Sequence, residues 1–182
     1  MRKLTLALGI LAAVGLMLAA CSENSPNTAQ AGKPAETLPQ ALDNAAGLQT
    51  VAEALKETGM AGAFRENASY TLIAPEDSAF ARLGDSARQV TQADDHTALA
   101  ALLKDHILTG YLTPQDIAAA IRANKEGKVQ LPTLGGGTLT FTQAGNTVNV
   151  TAEDGTSAAF DGAPVAGGSS IAIPVTGVLK KL

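Results

Sequence analysis

Tyr70-Thr71-Leu72-Ile73-Ala74-Pro75-Glu76-Asp77-Ser78-Ala79-Phe80 changes its periodicity partway along. Tyr70 to Ala74 is a short run that favours a β-strand, and Pro75 ends it because proline has no N–H to give to a ladder. Asp77 to Leu83 then reads as a short helix with Phe80 on its buried side. Upstream, Leu48, Val51, Ala52 and Leu55 recur at helical steps, with Gly59 as the stop. Downstream, Leu99, Leu102, Leu103, His106 and Ile107 mark one face of a stronger helix closed by Gly110. Thr113 followed by Pro114 reads as an N-cap and first turn, and Ile117, Ala120 and Ile121 line the helix they open.

After Gly127 the period shortens to two. Val129 and Leu131, Leu139 and Phe141, then Val148 and Val150 alternate with polar neighbours. Gly135-Gly136-Gly137, Ala144-Gly145-Asn146 and Asp154-Gly155 fall between the runs as turns, which predicts an antiparallel meander. Ile171, Ile173 and Val175 make a last strand, and Pro174 assigns it to a sheet edge or a bulge. Helices first and strands second indicate an α+β fold rather than alternating α/β.

The amino-terminal end has a different character. Arg2 and Lys3 precede an uncharged stretch from Leu4 to Ala20, the plan of a secretory signal. Leu18-Ala19-Ala20-Cys21 resembles the lipobox of bacterial lipoproteins. That resemblance implies cleavage before Cys21, lipid attachment to its thiol, and a membrane as the first partner. Ser22 after the cysteine resembles an outer-membrane signal of Gram-negative lipoproteins. Residues 21–40, with Pro26, Pro34 and Pro39 among Ser, Asn, Ala and Gln, are expected to be a flexible tether. Residues 41–182 are expected to be the one folded domain. Without residues 1–20 the formal charge falls from −4 to −6, because Arg2 and Lys3 are lost.

Several chemistries are disfavoured by composition. Thirteen basic against seventeen acidic residues leave no basic excess for nucleic acid. A single Cys rules out an internal disulfide and a multi-thiolate metal site, and with two His residues neither a metal nor a cofactor is expected. Gly84-Asp85-Ser86 has the look of an esterase signature but lacks a suitably placed histidine base. Asp94-Asp95 and Glu153-Asp154 read as solvated loop residues, able at most to bridge weakly to a divalent cation. His96 is expected to be exposed at a helix start. His106 falls on an apolar face, where the bland reading is a core histidine with satisfied nitrogens. The functional alternative places it in an interaction site with Asp105 and Tyr111.

The order of these segments resembles the fasciclin (FAS1) domain. Tyr70 to Phe80 is similar to that family's YT-x-F-A-P-T-D-x-A-F signature. Leu102 to Gly110 is similar to its central L-x-x-x-H helix end, and Thr133-Leu134-Gly135-Gly136 to the T-L-x-G that opens its sheet half. The closing strand departs: the family's Asn, Gly, His and Asp positions are Ser169, Ser170, Ile173 and Thr176 here. Asp105 replaces the tyrosine that often precedes the central histidine. The resemblance implies a wedge-shaped β-sandwich with a helical layer and a role in adhesion or extracellular interaction. The expected protein is therefore a non-enzymatic, monomeric, lipid-anchored component of the cell envelope. It would present one fasciclin domain to a protein or polysaccharide partner. The alternative is a carrier or sensor for a small apolar ligand held between helices and sheet.

Overall fold

A computed structural model describes residues 36–65, 69–91 and 96–182. Cys21, the signal segment, most of the expected tether and the Asp94-Asp95 pair lie outside the described residues.

Helices dominate the first half: α1 (Leu38–Asp43), α2 (Gln49–Glu57), a 3-10 turn (Met60–Arg65), α3 (Asp77–Leu83), α4 (Asp85–Thr91), α5 (Thr97–Asp105) and α6 (Pro114–Ala123). The strands are β1 (Tyr70–Pro75), β2 (Ile107–Thr109), β3 (Lys128–Pro132), β4 (Thr138–Ala144), β5 (Thr147–Ala152), β6 (Ser157–Ala159), β7 (Val165–Gly167) and β8 (Ser170–Val175). They form two sheets ordered β2-β1-β8-β7 and β3-β4-β5-β6. The second sheet is the expected meander, one strand longer than the sequence reading. The architecture is α+β.

Two apolar clusters show how the layers stack. Leu72, Ala74, Ile107 and Ala172 of the first sheet pack with Leu42, Val51, Leu55, Phe80, Leu99 and Leu103 of the helices. Ile73, Leu108, Ile173 and Val175, on the other face of that sheet, pack with Leu139, Phe141 and Val150 of the second sheet and with Ile117 and Ile121 of α6. The first sheet is thus buried on both faces. This is why β1 and β8 read as near-continuous apolar runs while β4 and β5 alternate.

The signature around residue 70 fastens these layers. Thr71 is fully buried; its hydroxyl donates to the Gly110 carbonyl at 2.7 Å and accepts from the Leu112 N–H at 2.8 Å. Leu48, at the N-cap of α2, has no side chain able to cap a helix. Asp77, at the start of α3, takes over that task. Its carboxylate accepts from the N–H groups of Thr50 at 2.8 Å and Gln49 at 3.3 Å, and its own N–H donates to the Gly47 carbonyl. Two of the otherwise orphaned donors of α2 are thereby satisfied from another helix.

The structure corrects four expectations. The fold begins inside the expected tether: Leu38 and Pro39 are buried in α1, and a Thr37–Gln40 capping box opens that helix. The helix read through Ile107 ends at Asp105, and Ile107 begins β2, paired with Leu72. His96 is half-buried, and its Nδ1 is shielded with no hydrogen-bond partner among the described residues. Finally, β8 lies inside its sheet despite Pro174. The pairing with β7 ends at Ala172; beyond it the Pro174 carbonyl accepts from Asp161. The side on which proline lacks its donor is therefore away from β1, where β7 has already stopped.

Gly167 shows why α1 belongs to the domain. A Cβ there would stand 2.5 Å from the backbone N and Cα of Leu38, so only glycine lets α1 lie against β7. Leu38→Ala in the full chain is expected to destabilise the domain by about 2–5 kcal/mol. Gly167→Ala is expected to cost about 1–3 kcal/mol through overpacking. Gly62→Ala, where a Cβ meets nothing within 4 Å, serves as control and is expected to stay within about 0.5 kcal/mol of the parent. Urea denaturation of the three variants measures all of these.

Candidate functional site

The central helix end, the glycine loop and the carboxyl-terminal segment meet at one place. The loop takes up carbonyls from the end of α5 and the start of β2: the Gly135 N–H donates to the Lys104 carbonyl and the Leu134 N–H to the Ile107 carbonyl, at 3.0 and 2.8 Å. A Cβ on Gly135 would lie 2.0 Å from Oδ1 of Asp105, so the loop reaches the helix only through a glycine. Lys180 closes the other side, with its ammonium 2.7 Å from Oδ2 of Asp105. The Asp105 carboxylate holds the Lys180 ammonium above the usual lysine range.

Three residues were expected to act together, and the structure separates them. Asp105 is mostly covered and paired with Lys180. Tyr111 lies beyond the far end of β2 and is 43% exposed. His106 is completely buried. Its Nδ1 donates to the Leu102 carbonyl at 2.8 Å, and its Nε2 accepts from the Leu179 N–H at 2.9 Å. These two bonds fix a neutral ring with a proton on Nδ1. Both ring nitrogens are therefore committed within the fold, and the histidine joins α5 to the chain end.

The next residues of the carboxyl-terminal segment are held by neighbouring carboxylates. The Lys181 N–H donates to Oδ2 of Asp154 at 2.7 Å, while Oδ1 of Asp154 accepts from the N–H and hydroxyl of Thr156. The Thr156 hydroxyl, foremost, holds Asp154 below the usual carboxylate range. Asp154 thus gives three of its acceptor sites to the protein.

Several clefts lined by described residues open to the surface. One of about 180 Å³ lies beside Asp105, Thr133, Thr138, Asp154 and Lys180, with Leu139 in its wall. Another, of about 530 Å³, runs between α2 and the α3–α4 pair, flanked by Glu53, Glu57 and Arg88. A third joins the first turn of α6 to the β4–β5 hairpin. Each of these linings mixes polar with apolar groups. The altered closing strand finds its own partners: the Ser170 hydroxyl accepts from the Tyr70 N–H, and the Thr176 hydroxyl from the Ala159 N–H. Ile173 takes a place in the core.

Burial has pushed the His106 imidazole from its usual 6.5 down to about 4. The unfolded chain therefore takes up a proton at a higher pH than the folded one. The stabilisation is complete above pH 6.5, declines as pH falls from about 6.5 to about 4, and levels off below. At about 1.4 kcal/mol per pH unit the loss is of the order of 3 kcal/mol. Urea titrations across that window are expected to show it, and His106→Gln to flatten it. His106→Ala at neutral pH is expected to lose about 1–3 kcal/mol for each of the two groups it leaves unpaired, the Leu102 carbonyl and the Leu179 N–H.

Comparison with known proteins agrees with this geometry. No curated protein matches the chain in sequence. Among solved structures, the chain is similar to a FAS1 domain pair from the insect cell adhesion molecule fasciclin I, with a TM-score of 0.56 and 20% identity. The likeness covers 73% of this chain and 45% of that one, so the chain spans less than half of the domain pair. At that identity the likeness bears on the fold alone. The fasciclin domain pattern matches residues 46–167, from the loop before α2 to the end of β7, and so includes the signature strand, the buried histidine and the glycine loop. By that match, the chain belongs to the fasciclin domain family.

Proposed function

We propose that this protein is a lipid-anchored component of a bacterial cell envelope that presents its fasciclin domain to a protein or polysaccharide outside the membrane. The observation that carries the reading is the sequence Leu18-Ala19-Ala20-Cys21, at the end of an uncharged stretch and upstream of a fasciclin domain. Two acyl chains, or one with a second signal, suffice for stable anchoring at about 0.8 kcal/mol per buried methylene. The insect relative is described as a cell adhesion molecule, which supports a contact role for the domain. The chemistry of the buried histidine supports it too. A general base needs a free nitrogen within reach of a substrate, and His106 has neither a free nitrogen nor exposure.

Expressed in a bacterial host, the full chain is expected to incorporate a palmitate analogue and to fractionate with membranes. Cys21→Ala is expected to lose the label and accumulate as unprocessed precursor, with the melting temperature of the domain unchanged. A Cys21→Ala chain that still carries the acyl label defeats the anchoring reading. Cells displaying the full chain are expected to adhere to one another or to a polymer-coated surface more than cells with an empty vector, and equal adhesion defeats the contact reading.

A further inference from the structure

The cleft between α6 and the β4–β5 hairpin differs in its chemistry from the two clefts described before it. It measures about 280 Å³, and no ionisable side chain among the described residues lines it. The clefts beside Asp105 and between α2 and α4 each carry charged groups. Gln115 from the first turn of α6, and Gln143, Asn146 and Thr147 from the hairpin, supply its polar lining. Phe160, half-buried, supplies an aromatic wall.

These groups differ in how far the fold already engages them. Gln143 is occupied, accepting from Arg122 and donating to the Gly145 carbonyl. The amides of Gln115 and Asn146 and the hydroxyl of Thr147 make no side-chain hydrogen bond within the described residues, and each can both donate and accept. The supports are firm. Thr113 and Asp116 form a reciprocal capping box at the start of α6, β4 and β5 pair up to Ala144–Thr147 across a two-residue turn, and Phe160 packs edge-on against the core ring of Phe141 at 6.0 Å.

We infer that this cleft is a subsite for a neutral saccharide, in which Gln115, Asn146 and Thr147 bond ring hydroxyls and Phe160 packs on the sugar's C–H face. The inference rests on the contact reading above and names the partner's chemistry. A sugar hydroxyl both donates and accepts, as do the planar amides and the threonine hydroxyl. Its C–H face is apolar and matches an aromatic wall. Among the described residues no lining side chain offers a charged sugar a counter-ion, and Arg122 meets the lining at Oε1 of Gln143. The volume, just below the range of about 300–1,000 Å³ for ligand pockets, suits one or two sugar rings.

The test uses the full chain, purified in a detergent without a sugar headgroup. Cellotetraose, maltotetraose, mannotetraose and galactotetraose serve as neutral probes and tetragalacturonate as the anionic one, measured by calorimetry. At least one neutral probe is expected to bind, with little change from low to high salt, because no charge is being screened. Gln115→Ala and Asn146→Ala are each expected to weaken binding about fivefold, the loss of one hydrogen bond. Both residues are exposed, and the variants are expected to melt with the parent. Phe160→Leu is expected to abolish binding; if that variant melts early, the two alanine variants decide alone. Absence of binding to every neutral probe overturns the inference, as does binding undiminished in the Gln115→Ala/Asn146→Ala double variant, or preference for tetragalacturonate. The adhesion assay separates the two readings. Adhesion that survives the double variant unchanged removes the saccharide subsite and leaves the contact role standing. Absence of adhesion by the parent removes the contact role whatever the calorimetry reads.

Discussion

A strand pair buried on both faces must satisfy every backbone polar group without help from water, and β1 with β8 is such a pair. They run parallel, from Thr71 beside Ile171 to Pro75 beside Val175, and join segments a hundred residues apart. Such a pairing closes a long loop before it returns any contact energy. Its apolar faces have to repay that cost. The helices cover one face and the second sheet with α6 covers the other. Polar groups near the pair have specific partners: Thr71 with Gly110 and Leu112, Ser170 with Tyr70, and the Val175 carbonyl with Glu76. The signature sequence is thus a set of polar fastenings around an apolar strand.

His106 follows from the same constraint. Leu102 near the end of α5 has a carbonyl, and Leu179 in the buried terminal segment has an N–H, and neither reaches water. One neutral imidazole answers both, because it has one donor and one acceptor on opposite sides of a rigid ring. A hydrophobic residue would leave two orphaned groups at about 1–3 kcal/mol each. A protonated ring would present a donor to the Leu179 N–H. Burial, the largest influence on its titration, holds the ring in the one state that fits.

Elements with strong local signals were legible in the sequence. Asp77 to Leu83, the Thr113-Pro114 start of α6 and the three alternating strands were read from the periodicity of their own residues. What escaped depended on distant partners. Residues 38–40 sit in a polar, proline-rich stretch, and only contact with Gly167 shows that Leu38 is core. β6 and β7 have three residues each, too few for a period. Ile107 continues the apolar face of α5 in sequence, yet ladder bonds to β1 claim it. Pro174 argued for an edge strand. It was right about the missing donor and wrong about the strand, since β7 simply ends before reaching it. The core role of His106 could be read from its spacing, but the second bond, from Leu179, could not.

The site residues illustrate a related limit. Asp105, His106 and Tyr111 are close in sequence, and a helix end followed by a strand sends them into three different environments. The charged groups of that region are largely spent on holding the carboxyl-terminal segment: Lys180 on Asp105, and Asp154 on Thr156 and Lys181. A carboxylate already accepting three hydrogen bonds has about one of its four lone-pair sites left for a new partner. Recognition energy is more readily drawn from groups the fold leaves unpaired. In this chain those groups include uncharged amides and a hydroxyl, held on a capped helix and a tight hairpin beside an aromatic ring. A saccharide bound in the proposed subsite would be selected by hydrogen-bond geometry at short range, where solvent ions do not screen it, rather than by long-range attraction.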